Sequence, residues 1–228
     1  MKSIKLNNRR LEKLLLNTTD LFRNENILEI TKKHAERENK LKDSLIPEYH
    51  PTSDEYLFKA FKLKLTDYAY PRAVYGASIQ HVLDLHPNNK NVLAIRKATT
   101  VLKNTLGTER EALSMLYPDD GFIGWHHNGN APGYNILLSH SLDGDGSFDY
   151  WDYDTKSIKS IPDKPGWNVK VGYYPNQRKE PKRVYWHMAK TKKARISIAW
   201  VIDQKDMWKN MIDQITGGDY DHDDILRQ

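Results

Sequence analysis

The sequence predicts an α+β protein: a helical N-terminal layer packed on an antiparallel β sandwich or barrel. Three observations carry that prediction. Apolar residues recur at helical spacing through the first half of the chain. After residue 109 the pattern changes to short strand-like runs separated by turns, with no helical stretch between them. Aromatics make up 11% of the chain and include six Trp, so a core can form although only 39% of the residues are hydrophobic.

In chain order, Leu11, Leu14, Leu15 and Leu21 open the helical pattern, followed by Ile27, Leu28 and Ile30. Residues 25–45 are rich in charge and poor in apolar side chains, which reads as a solvated helix. Pro47, His50 and Pro51 mark a break. Ser53, Asp54 and Glu55 are suited to cap the next helix, whose apolar face is Leu57, Ala60, Phe61 and Leu65. A further helix over 91–106 presents Val92, Ile95, Ala98, Leu102 and Leu106, and Gly107 is placed to stop it.

The β half begins after Glu109. Ile136, Leu137 and Leu138 form a buried-strand run, and Asp143-Gly144-Asp145-Gly146 is a turn leading into an alternating strand over 147–153. Residues 167–174, 183–189 and 194–202 give three more strands. A short amphipathic helix over 204–215 is followed by Gly217-Gly218 and an acidic tail. The expected organisation is a helical part (1–108), a β part (109–203) and a C-terminal helix and tail (204–228), together one domain.

A chain of 228 residues is long enough for a proper core. The absence of cysteine excludes a disulfide scaffold, cysteine-ligated zinc, iron–sulfur clusters and thiol nucleophiles. No apolar run approaches the about 18 residues of a membrane span, and residues 1–16 lack a signal-peptide core. The expectation is a soluble, cytoplasmic protein without a membrane partner. The net charge of +5 is mild.

The candidate chemistry lies in three places in the β half: the segment from Tyr117 to Asn128, containing Trp125-His126-His127-Asn128; His187 within Tyr185-Trp186-His187-Met188; and Arg195-Ile196-Ser197. On a strand, alternate side chains share a face. His126 and Asn128 can therefore face one cavity while Trp125 and His127 face away, and Arg195 and Ser197 share a face opposite Ile196, Ile198 and Trp200. An arginine fork suits a buried carboxylate because it bonds both oxygens and keeps its proton.

In order and spacing these residues resemble the Fe(II)/2-oxoglutarate-dependent oxygenases of the double-stranded β-helix (cupin-like jelly-roll) fold. The segment from Tyr117 to Asn128 looks like the AlkB-type dealkylases, and the short step from His187 to Arg195 is closer to the prolyl-hydroxylase branch. The resemblance covers residues 113–202. It implies Fe(II), 2-oxoglutarate as co-substrate and O2, with His126 and His187 as iron ligands and Asn128 at the third position. It implies Arg195, Ser197 and Tyr117 as holding 2-oxoglutarate, and hydroxylation, or demethylation by hydroxylation, as the activity. Trp125, Tyr134 and Trp151 are candidates for the cavity wall.

One position departs from the family pattern, which has Asp or Glu where Asn128 stands. Four readings follow: amide ligation at a weaker site; completion of the shell by Asp119, Asp120 or Asp145; a two-ligand site with room for halide; or a non-catalytic cupin-like module. His127 is the alternative ligand if the strand register is shifted. The basic run Arg178, Lys179, Lys182, Arg183, Lys190, Lys192 and Lys193, interleaved with aromatics, suits an anionic or nucleic-acid partner, and equally suits lysines that protect strand edges. No motif in the chain encodes the substrate itself.

Overall fold

The strand pattern resolves, in the computed structural model, into two antiparallel sheets. Residues 1–22, 24–37, 45–65, 73–108, 110–129, 131–180 and 184–218 are described. Eight strands follow one another along the β half: β4 (Glu111–Tyr117), β5 (Phe122–His126), β6 (Gly133–Ser141), β7 (Ser147–Asp152), β8 (Ser157–Pro162), β9 (Gly166–Tyr174), β10 (His187–Lys190) and β11 (Arg195–Ile202). The larger sheet runs β9-β6-β11-β4, extended by β1 (Lys2–Ile4) and β3 (Ala77–Ser78). The smaller runs β5-β10-β7-β8, extended by β2 (Val74–Tyr75). Apart from the β7–β8 hairpin, successive strands alternate between the sheets in the order of two interleaved Greek keys. This is the expected double-stranded β-helix, formed here by two sheets and not by a closed barrel.

Period-two alternation sorts the larger sheet into a dry outer face and a polar inner one. Leu116, Ile136, Leu138, Val169, Val171, Ile196, Ile198 and Trp200 point outward. They form one cluster with Leu11 and Leu15 of α1 (Arg9–Phe22), Ile27 of α2 (Glu25–Arg37), Val82 of α4 (Ile79–Leu85), Ile95 and Leu102 of α5 (Lys90–Leu106), and Trp208 and Ile212 of α6 (Lys205–Thr216). The helical layer is therefore the second wall of this core. Asn89 caps α5, accepting from the backbone N–H groups of Asn91 and Val92, and Gly107 ends it in the left-handed region at φ 67°. α3 (Asp54–Lys62) begins at Ser53, whose side chain accepts from Tyr56 N. It covers the smaller sheet through Tyr56, Leu57 and Ala60 against Trp125, Trp186 and Met188.

Three expectations change. The helix expected over 25–45 is described as α2 only to Arg37, and it is not wholly solvated: Ile27, Thr31, His34 and Ala35 are buried. That stripe contains two polar side chains, which hid it among the charges. The first residues do not join a helix, because Lys2–Ile4 pairs as an edge strand with β9. The strand expected over 183–189 pairs only from His187. The acidic tail, and Lys182 and Arg183 of the basic run, lie outside the described residues. Among the described residues no helix is long and apolar enough to cross a membrane.

Candidate metal and carboxylate centre

Neighbouring strands of the smaller sheet bring the two histidines together. His187 of β10 pairs in register with His126 of β5, and the ring centroids are 4.2 Å apart. Both rings are buried. Nδ1 of His126 lies 2.8 Å from the Gly124 carbonyl and Nδ1 of His187 lies 2.9 Å from the Tyr185 carbonyl. A carbonyl only accepts, so each Nδ1 carries the proton and each Nε2 keeps its lone pair, as in histidines that ligate metals. Phe148 and Tyr174 stack on His187 at 5.3 and 4.9 Å.

Burial keeps both imidazoles neutral. Desolvation lowers His126 to about 4 against a partly opposing hydrogen bond to the Gly124 carbonyl. Burial, and then the neighbouring His126, hold His187 well below the usual value of 6.5. The unfolded chain therefore takes up protons below pH 6.5 that the folded chain refuses, and stability falls as the pH falls. Metal-free protein is expected to lose on the order of 3 kcal/mol from His126 alone between pH 6.5 and 4. Urea melts across that range check this, and a flat profile contradicts it.

The second half of the site comes from the inner face of the larger sheet. Arg195 pairs in register with Tyr117, and Ser197 lies one alternation further along β11. All three are at most 2% exposed. Tyr117 Oη, Arg195 Nη2 and Ser197 Oγ are buried and have no hydrogen-bond partner among the described residues. Burial pushes the Tyr117 phenol up to about 12 despite Arg195 nearby, so it remains a donor. A buried polar group left unsatisfied costs about 1–3 kcal/mol. Three of them lining one cavity indicate a polar ligand.

A cavity of about 370 Å³ joins the two halves. His126, Asn128, His187, Tyr117, Arg195 and Ser197 all line it, between apolar walls that include Ile123, Leu137, Phe148 and Ala199. Its size falls in the range of small-molecule pockets. Behind Arg195 stands a network that the sequence pattern does not announce. Arg195 Nε donates to Asp163 Oδ2 at 2.8 Å. The other Asp163 oxygen is ion-paired with Lys170 and accepts from Ser139 Oγ at 3.4 Å. Burial opposes the Asp163 charge, but Arg195 and then Lys170 outweigh it and hold the carboxyl below its ordinary value. Gly146 makes room for that carboxylate, since a Cβ there would stand 2.6 Å from Asp163 Oδ2. The one available signal is Lys170 between Val169 and Val171: alternation places a lysine at an inward position of a buried strand.

Other expectations are corrected by position. Asp119 and Asp120 are surface partners of Lys193 and Lys192 at 3.2 and 3.1 Å, and Asp145 is exposed, so none of the three reaches the cavity. His127 turns away and meets Trp186 edge-on at 5.1 Å. Trp125 and Trp151 belong to the core under α3, and Tyr134 packs on Trp208 and Tyr173. None of these four lines the cavity. Among the described residues no three His, Cys, Asp or Glu side chains cluster. The donor set available to a metal is thus two imidazoles with bare Nε2 atoms, which fit a divalent first-row ion, and one neutral amide.

No family model and no curated protein matches the sequence. Similar solved structures include a prolyl-4-hydroxylase from Pseudomonas putida (16% identity, TM-score 0.31, 48% of this chain and 58% of that one). An oxidoreductase of the 2OG-Fe(II) oxygenase family from Burkholderia pseudomallei is another (12% identity, TM-score 0.28, 57% and 63%), as is a dioxygenase for auxin oxidation from rice (16% identity, TM-score 0.30, 56% and 53%). The chain spans less than two thirds of each. The architecture rests on the strand order and the chemistry on the cavity.

Proposed function

We propose that the cavity binds Fe(II) and 2-oxoglutarate and that the protein is a dioxygenase hydroxylating a C–H bond of an unidentified substrate. On an N-methyl group the same reaction would give an N-hydroxymethyl group, which loses formaldehyde and leaves the demethylated N–H. The observation that carries the proposal is the meeting of two lone-pair-bearing imidazoles and three unpartnered donors in one cavity. His126 and His187 would hold the metal through Nε2, with Asn128 at the third position. Arg195 and Ser197 would take the far carboxylate of 2-oxoglutarate, and Tyr117 would donate its hydroxyl. The bound iron would supply the redox chemistry that couples 2-oxoglutarate, dioxygen and substrate to succinate, carbon dioxide and hydroxylated product. The protein would orient the reactants and exclude water through its apolar walls.

Anaerobic titration with Fe(II) and 2-oxoglutarate should give a visible charge-transfer band, and admission of air should release succinate. Arg195→Gln should weaken 2-oxoglutarate binding by roughly tenfold or more, the worth of a charge-assisted pair. Absence of both band and succinate overturns the proposal. One observation favours a second reading, a non-catalytic cupin-like module: among the described residues no carboxylate clusters with the two histidines. Such a module would bind its partner, an anion or nucleic acid, without metal and with a steep salt dependence. Of the basic run, Lys190, Lys192 and Lys193 are each ion-paired to an aspartate.

A further inference from the structure

Arg195 faces the cavity while already holding a carboxylate. Its contact with Asp163 is fully buried, with side chains 1% and 0% exposed. An arginine neutralised in this way could still donate hydrogen bonds to a ligand, but the pair would carry no net charge. Lys170 alters that balance. Its side chain is wholly buried, and its ammonium is ion-paired to the second oxygen of the same carboxylate. It also donates to Ser139 Oγ at 3.4 Å. One carboxylate and two cations leave one positive charge, and Arg195 lines the cavity together with Ser197 and Tyr117, its Nη2 having no partner among the described residues.

Stability does not account for this arrangement. Replacing a buried ion pair by apolar side chains is often neutral or stabilising, and the flanking Val169 and Val171 show that the strand accepts apolar residues in a dry setting. Geometry alone does not account for it either, because Asp163 by itself suffices to fix the guanidinium. The lysine adds charge.

Resting on the reading of this cavity as an oxoacid site, we propose that Asp163 and Lys170 are positioning residues that act through Arg195 to select an oxoacid bearing a second carboxylate. Asp163 fixes the orientation of the guanidinium. Lys170 cancels the charge of Asp163, so that the full positive charge of Arg195 is presented to the ligand. Selectivity for a dicarboxylate then comes from a charge placed one residue behind the group that touches it.

The test is calorimetric titration of Mn(II)-loaded protein, without oxygen, using 2-oxoglutarate and 2-oxopentanoate. The second has the same chain length and lacks the far carboxylate. Lys170→Met should reduce the preference for 2-oxoglutarate by roughly tenfold or more, as loss of a nearby buried charge implies. Affinity for 2-oxopentanoate should not change. The double variant Asp163→Asn/Lys170→Met returns one uncompensated charge to Arg195 and should restore the preference. It is also an independent arm if the single variant does not fold, since it buries no unpaired ion at these two positions. An unchanged preference in Lys170→Met, equal losses for both oxoacids, or a double variant lacking the preference would each overturn the proposal. Failure of the unaltered protein to bind either oxoacid would refute the oxoacid reading itself, and this proposal with it.

Discussion

Asn128→Asp is expected to tighten divalent-metal binding by about 10- to 100-fold, a gain of roughly 1.4–2.8 kcal/mol. His126 and His187 are both neutral, and among the described residues the one acid lining their cavity, Glu111, is exposed and does not cluster with them. A metal held by two imidazoles and an amide keeps its whole charge. A carboxylate at position 128 would meet that charge at bonding distance, an attraction of several kcal/mol even at an effective dielectric constant near 20. Part of it is spent on desolvating the new carboxylate, which is why the expected gain is only one to two orders of magnitude. Competition against a chromophoric chelator with Mn(II) or Zn(II) measures it. An unchanged affinity would place residue 128 outside the metal's reach. The same reasoning predicts that 2-oxoglutarate and metal assist each other's binding more strongly in the native protein than in the variant, because the co-substrate then supplies the missing negative charge, and the coupling must be reciprocal.

Much of this site could be read in the sequence because it is built on strands. Alternation alone separates His126 from His127 and Arg195 from Ile196, and the structure sends the members of each pair to opposite faces. Ser53, Asn89 and Gly107 delimit helices through local hydrogen bonding and backbone freedom, which are properties of a few neighbouring residues. What could not be read depends on pairing over distance. Asp163 lies in a connection, and its importance arises only when β9 and β11 bring Lys170 and Arg195 to it. The edge strand Lys2–Ile4 is equally opaque, since three residues with a lysine first carry no periodicity and are ordered by the exposed ladder of β9. The buried face of α2 includes Thr31 and His34, polar residues that a hydrophobic pattern does not count.

Asp163→Ala is expected to be among the most damaging single changes in the β half, destabilising the protein by about 3–5 kcal/mol. The carboxylate is the shared partner of Lys170 and Arg195, all three side chains being at most 1% exposed. Removing it leaves two like charges facing each other in a dry setting, where Ser139 Oγ still accepts from the Lys170 ammonium but brings no compensating charge. Burial already pulls that ammonium below its ordinary value, with Asp163 working against the pull. In the variant Lys170 therefore sheds its proton more readily, and the loss of stability should shrink as the pH is raised. Urea denaturation at neutral and alkaline pH checks both statements. A multivalent anion should recover part of the loss by occupying the cavity face of Arg195, since ligands that bind only the folded state stabilise it by mass action. If Asp163→Ala were instead as stable as the native protein at neutral pH, water would have to reach these cations, and the charge that Arg195 presents to the cavity would be screened along with them.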